Sequence, residues 1–109
     1  MAEVLKVLAQ SNPPALTLTD VYTVPAATST VVSSLVLANR AAVDTAFRLS
    51  LAISGAADSL KQYLYYDVTL FARDTFIATI GVTLAAADVV RVYVNDASVS
   101  INVLGAEES

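Results

Sequence analysis

The chain has 109 residues, ten acidic against six basic for a net charge of −4, and neither histidine nor cysteine. Without cysteine, disulfides and thiolate metal sites are excluded. Without histidine, Ser-His-Asp and Cys-His triads are excluded too, along with the commonest general base and transition-metal ligand.

Period-two patterning runs through the chain and predicts strands from one end to the other. Glu3–Ala9 and Leu16–Val24 open it, separated by Ser11-Asn12-Pro13-Pro14, where two prolines forbid helix. Pro25-Ala26-Ala27-Thr28 turns the chain into Val31–Ala38, a Val- and Leu-rich strand with Ser33 and Ser34 at its middle. After the Asn39–Asp44 link comes the clearest stretch, Thr45–Ser54. There Phe47, Leu49, Leu51 and Ile53 alternate with Ala46, Arg48, Ser50 and Ala52.

The loop Ser54–Ser59 leads to Gln62–Phe71, and the tight connection Ala72-Arg73-Asp74 leads to Phe76–Ile80. Leu84–Ala87 has the composition for one helical turn. Val90, Val92 and Val94 then alternate with Val89, Arg91 and Tyr93, and Asn95-Asp96-Ala97 makes a hairpin turn into Val99–Val103. The acidic tail Ala106–Ser109 is expected at the surface.

About eight strands at this spacing, with little or no helix, predict an all-β fold, an antiparallel β-sandwich spanning 1–109 as a single domain. Strand order is not readable from the pattern, so jelly-roll and immunoglobulin-like topologies both stand.

Charged residues make up 15% of the chain and hydrophobic ones 56%, against about 25% charged in a typical domain. A surface so poor in charge implies that partner chains cover part of it, as in a homo-oligomer, with a trimer among the candidate states. The basic residues Lys6, Arg40, Arg48, Lys61, Arg73 and Arg91 stand singly, so nucleic acid and membrane are not expected partners. The longest apolar runs fall far short of the roughly 20 residues that cross a bilayer. Met1-Ala2-Glu3-Val4 lacks the basic flank of a signal peptide, so secretion by that route is not expected.

Asp44, Asp58, Asp74, Asp88 and Asp96 all fall in turns, where aspartate bonds nearby backbone N–H groups. No catalytic pair, metal site or cofactor is therefore expected. The candidate interaction residues are Tyr63, Tyr65, Arg48 and Arg91. In a regular strand Tyr63 and Tyr65 share one face, while Tyr66 joins Leu64 and Val68 on the other and is expected to be the more buried. Exposed tyrosines suit protein contacts or sugar stacking. Arg48 and Arg91 lie on polar strand faces, where they would pair with acids or keep an edge from aggregating.

Leu18-Thr19-Asp20-Val21-Tyr22-Thr23-Val24-Pro25-Ala26, Val31-Val32-Ser33-Ser34-Leu35-Val36, Asn39-Arg40 before Phe47-Arg48, Tyr63-Leu64-Tyr65-Tyr66-Asp67, Asp74-Thr75-Phe76 and Gly81-Val82-Thr83-Leu84 form a series. Together they resemble small β-structured virion proteins of tailed bacteriophages, over nearly the whole chain from Glu3 to Glu107. The resemblance implies a non-enzymatic virion component, assembled in the host cytoplasm. A capsid decoration (cement) protein bound to the major capsid protein is favoured. A tail, baseplate or fibre-associated module comes second, and a carbohydrate-binding module for host-surface glycans is a further alternative.

Overall fold

A computed structural model describes residues 3–109; Met1 and Ala2, the first half of Met1-Ala2-Glu3-Val4 and of its expected lack of a signal peptide, lie outside them. Nine strands make up the described chain: β1 (Glu3–Ser11), β2 (Thr19–Thr23), β3 (Ser29–Asn39), β4 (Thr45–Ala52), β5 (Tyr63–Leu70), β6 (Thr75–Ala78), β7 (Val82–Leu84), β8 (Val89–Val94) and β9 (Val99–Glu108). They form two antiparallel sheets, β1-β9-β3-β6 with β7 also on β3, and β2-β8-β4-β5.

The pairing is nested. β1 pairs with β9, β2 with β8, β3 with β6 and β7, and β4 with β5. That is a long hairpin ribbon rolled up so that β3 also meets β9 and β4 meets β8. This order is the jelly roll, one of the two topologies the sequence left open. β6 and β7 are two halves of one interrupted strand. Between them the N–H groups of Ile80 and Gly81 both donate to the Ser33 carbonyl, at a bulge in β3.

The inner faces supply the core, as the alternation predicts. Phe47, Leu35, Leu37, Leu49, Leu70 and Ile101 are fully buried, and Val90, Val92 and Val94 line the same layer. Each buried apolar Å2 contributes about 25 cal/mol. The Phe47 ring lies 5.3 Å from Phe76 and 5.9 Å from Tyr65, in the tilted geometry aromatic pairs prefer.

Asn39 closes one end of the sandwich. Its buried amide donates to the carbonyls of Val43, Leu70 and Phe71 at 2.8, 3.2 and 3.2 Å, and its oxygen accepts from the Ala41 N–H and the Ser98 hydroxyl. Of the turn aspartates, Asp58 pairs with the Tyr63 side chain, while the others bond backbone N–H groups as their positions predict, Asp74 that of Thr75. Asp88 accepts from the N–H groups of Ser54 and Ala85, Asp44 from that of Ala72, and Asp96 from that of Ser98.

Several boundaries differ from the sequence expectation. β4 stops at Ala52, because Ile53–Gly55 turn into a 3-10 segment and leave Ile53 76% exposed. Leu84–Ala87 is no helical turn: Leu84 ends β7, and the chain reverses through Ala87 at positive φ. The acidic tail ends at the surface with Glu108 and Ser109 exposed, but it is ordered as strand, since β9 continues to Glu108 between β1 and β3.

Candidate contact surfaces

The outer face of the β2-β8-β4-β5 sheet holds most of the residues singled out in the sequence. Arg48 on β4 lies beneath two rings, its guanidinium carbon 4.1 Å from the Tyr66 centroid and 4.7 Å from that of Tyr93. The same guanidinium donates to Asp67 at 2.6 and 3.3 Å. That donation holds the Asp67 carboxyl below the usual carboxylate range. Tyr63 meets Tyr66 edge-on at 5.1 Å. Burial, then hydrogen bonding to Asp58, pushes the Tyr63 hydroxyl pKa up.

This arrangement corrects the expected facing of the tyrosines. Tyr65 points inward against Phe47 and Phe76, while Tyr63 and Tyr66 share the outer face, with Tyr66 50% exposed. The cause is a pair of irregularities in β5. Tyr63 lies opposite Ser50, Tyr65 opposite Leu49 and Val68 opposite Phe47, so Leu64 is one extra residue and Arg48 faces both Tyr66 and Asp67. Asp67 takes the positive φ of 54° that such a bulge needs. One face of the Tyr66 ring and one of the Tyr93 ring are thus taken by a guanidinium.

Arg91 works within the fold. It donates to Asp20 at 2.9 Å, to the Ala56 carbonyl at 2.7 Å and to the Gly55 carbonyl at 3.2 Å. It thereby pins the loop after β4 over Val89.

A second polar cluster joins the sheets. The Tyr22 hydroxyl on β2 lies 2.8 Å from the Thr30 hydroxyl on β3 and donates to the Glu107 carboxylate on β9 at 2.5 Å. Lys6 on β1 completes it, 2.7 Å from Glu107. Burial, followed by the Glu107 hydrogen bond, pushes the Tyr22 pKa up to about 12, and the Lys6 and Tyr22 bonds hold Glu107 below its ordinary range. Glu107 carries no sequence signal beyond Leu104 and Ala106, which continue an alternation displaced by one residue after Val103.

The outer face of the other sheet is of a different kind. Strand register lines its side chains up in four cross-strand rows: Thr75–Ala38–Ser100; Ile77–Val36–Asn102–Gln10; Ser34–Leu104–Val7; and Thr83–Val31–Ala106–Leu5. None of these residues is charged. Leu5 is 79% exposed, Ile77 60% and Val7 51%. Among the described residues, charge borders this face at one end, in the row of Glu3 and Glu108 and at Lys6 beside the hollow. A hollow of about 350 Å3 indents it beside Leu5, Val31, Leu104 and Gly105, with Glu3 and Lys6 at its rim.

An open cleft of about 480 Å3 lies between the two sheets on the β7 side, lined by Leu51, Ile53, Leu64, Val82 and Leu84 with Lys61 and Asp88. Leu60, 80% exposed, lies in the 3-10 turn of Leu60–Gln62 beside it. The cleft and the uncharged face share only Thr83.

Comparison of the sequence with protein-family models and with curated proteins finds no match.

Proposed function

We propose that this protein is a non-enzymatic structural component of a tailed-phage virion, a decoration protein that stabilises the capsid by protein–protein contacts. One observation carries the reading: exposed apolar side chains form two groups that face different ways, the uncharged rows of Leu5, Val7, Val31 and Ile77 and the cleft beside Ile53, Leu60 and Leu64, apart from single exposed residues such as Leu16, Val43 and Phe71. A decoration protein holds to its own copies and to capsid subunits, so it needs two contact surfaces, and apolar burial at each supplies the attraction. The resemblance of the Leu18–Ala26, Val31–Val36 and Tyr63–Asp67 segments to small virion proteins supplies the setting. A jelly roll suits it, since capsid domains are among the proteins built on that architecture. The major capsid protein is the proposed partner.

The test is to assemble particles with and without the chain. Co-sedimentation with empty heads, and a lower disruption temperature for heads that lack it, is the expected result. Attachment to tails alone would replace decoration with a tail-associated role. No attachment to either, with selective binding on a glycan array, would overturn the virion reading.

A further inference from the structure

We infer that the outer face of the β1-β9-β3-β6 sheet is a self-association surface, occupied by the same face of a second copy in a two-fold dimer. The inference concerns solution behaviour and does not require the capsid reading.

Three features select a second copy as the occupant. The first is charge. The chain is acidic overall, with a net charge of −4, so two copies repel unless they meet where charge is missing. The four rows of this face hold no ionisable side chain, whereas the other sheet presents Asp20, Arg48, Asp67 and Arg91 outward.

The second feature is the polar chemistry. Every polar side chain in the rows is a serine, threonine, asparagine or glutamine, and each of these both donates and accepts. Gln10 already donates to Asn102 at 2.8 Å within the face. Such a surface is its own complement, as a two-fold contact demands, because each patch meets an identical patch. A partner recognised by ion pairing would find charge only at the border, at Glu3, Lys6 and Glu108 among the described residues.

The third feature is size. Four strands about 4.8 Å apart, over eight positions of about 3.3 Å, present roughly 500 Å2 per copy. Two copies then bury about 1,000 Å2, the size of a weak, reversible interface, just at the roughly 1,000 Å2 a biological contact should reach. Leu5, Val7 and Ile77 stand out from the face, and the hollow at Gly105 offers room for a projecting side chain.

Light scattering coupled to size exclusion, on the full chain, is the first measurement; twice the monomer mass is expected. Ile77→Glu and Val7→Glu, on opposite borders of the face, should each raise the dissociation constant about a hundredfold, since each carboxylate would be buried unpaired. Leu60→Glu, at a still more exposed position by the cleft, should leave the mass unchanged. Because the chain has no cysteine, Asn102→Cys gives a second readout that does not rely on weakening the fold. Mild oxidation should link it into covalent dimers, while Leu60→Cys stays unlinked. A monomeric wild type, or dimers that survive both face substitutions and fail to link through Asn102→Cys, would overturn the inference. Head binding is scored separately, so a monomer that still binds heads sinks this inference alone, and a dimer that binds none sinks only the virion reading.

Discussion

Gly105 on β9 lies so close to Val31 on β3 that a Cβ placed on it would stand 2.0 Å from the Val31 carbonyl oxygen. The constraint is close approach of two backbones and not an unusual φ, so a side chain cannot be accommodated by turning a rotamer. Gly105→Ala should therefore cost at least the ~1–3 kcal/mol typical of an overpacked site. Gly81 is the contrast. Nothing lies within 4 Å of its Cβ position, and its φ is +57°. Gly81→Ala should cost only the left-handed strain, about 1–2 kcal/mol. Urea unfolding of the two variants checks the order.

The Tyr22–Glu107 latch gives stability a dependence on pH at both ends. The Tyr22 hydroxyl ionises near pH 10 in an unfolded chain and at about 12 in the folded one. Between those values the folded state holds a proton that the unfolded state has lost, so its contribution is complete below pH 10 and disappears as pH rises toward 12. Glu107 works the other way. Its folded pKa is depressed, so its contribution is present above the ordinary carboxylate range and is lost as pH falls below it. Tyr22→Phe should flatten the alkaline limb and cost about 1 kcal/mol at neutral pH through the missing hydrogen bond. Unfolding midpoints measured across pH for wild type, Tyr22→Phe and Glu107→Gln would show it, and an unchanged alkaline limb in Tyr22→Phe would refute it.

Tyr65 and Tyr63 should separate in stability. Tyr65→Ala removes a ring packed on Phe47 and Phe76 and is expected to cost about 2–4 kcal/mol. Tyr63→Ala removes a ring on the outer face and should cost clearly less. Thermal unfolding of both variants is sufficient; equal losses would mean that the two rings do not lie on opposite faces.

Asn39→Ala leaves the carbonyls of Val43, Leu70 and Phe71 without their donor, at an expected cost of about 2–3 kcal/mol. Asn39→Asp keeps the shape but sets a carboxylate against three carbonyl oxygens. It should be the less stable variant at pH 7 and recover on acidification, because the folded state favours the protonated acid. Chemical denaturation at pH 7 and pH 4 distinguishes the two.

These residues also mark how far the sequence could be read. Alternation in Phe47–Leu51 and Val99–Val103 identified both inner faces, because a sheet solvated on one side imposes that pattern locally. The bulges in β5 were hidden, since an inserted residue is recognised only against the partner strand, and this hid the inversion of Tyr65 and Tyr66. The choice of the jelly roll was hidden for the same reason: pairing β1 with β9 is a relation between distant segments. Glu107 read as an ordinary tail acid until Tyr22 and Lys6 were brought to it. The uncharged face was half visible. The low charge content announced it, but only strand register shows that Ile77, Val36, Leu104, Val7 and Leu5 lie on one surface.

Nested pairing also sets the order in which the chain can be completed. The β4–β5 hairpin has its partner almost at once, whereas Glu3 waits for Glu108. β9 is not an addition at the border of its sheet: it is inserted between β1 and β3. During synthesis, therefore, β1 has no sheet neighbour and one flank of β3 stays open until the last strand emerges. Contacts so distant in sequence close slowly. A polypeptide cut short before Val99 would keep those backbone edges unpaired, so it should be cleaved by proteases more readily than one that carries β9.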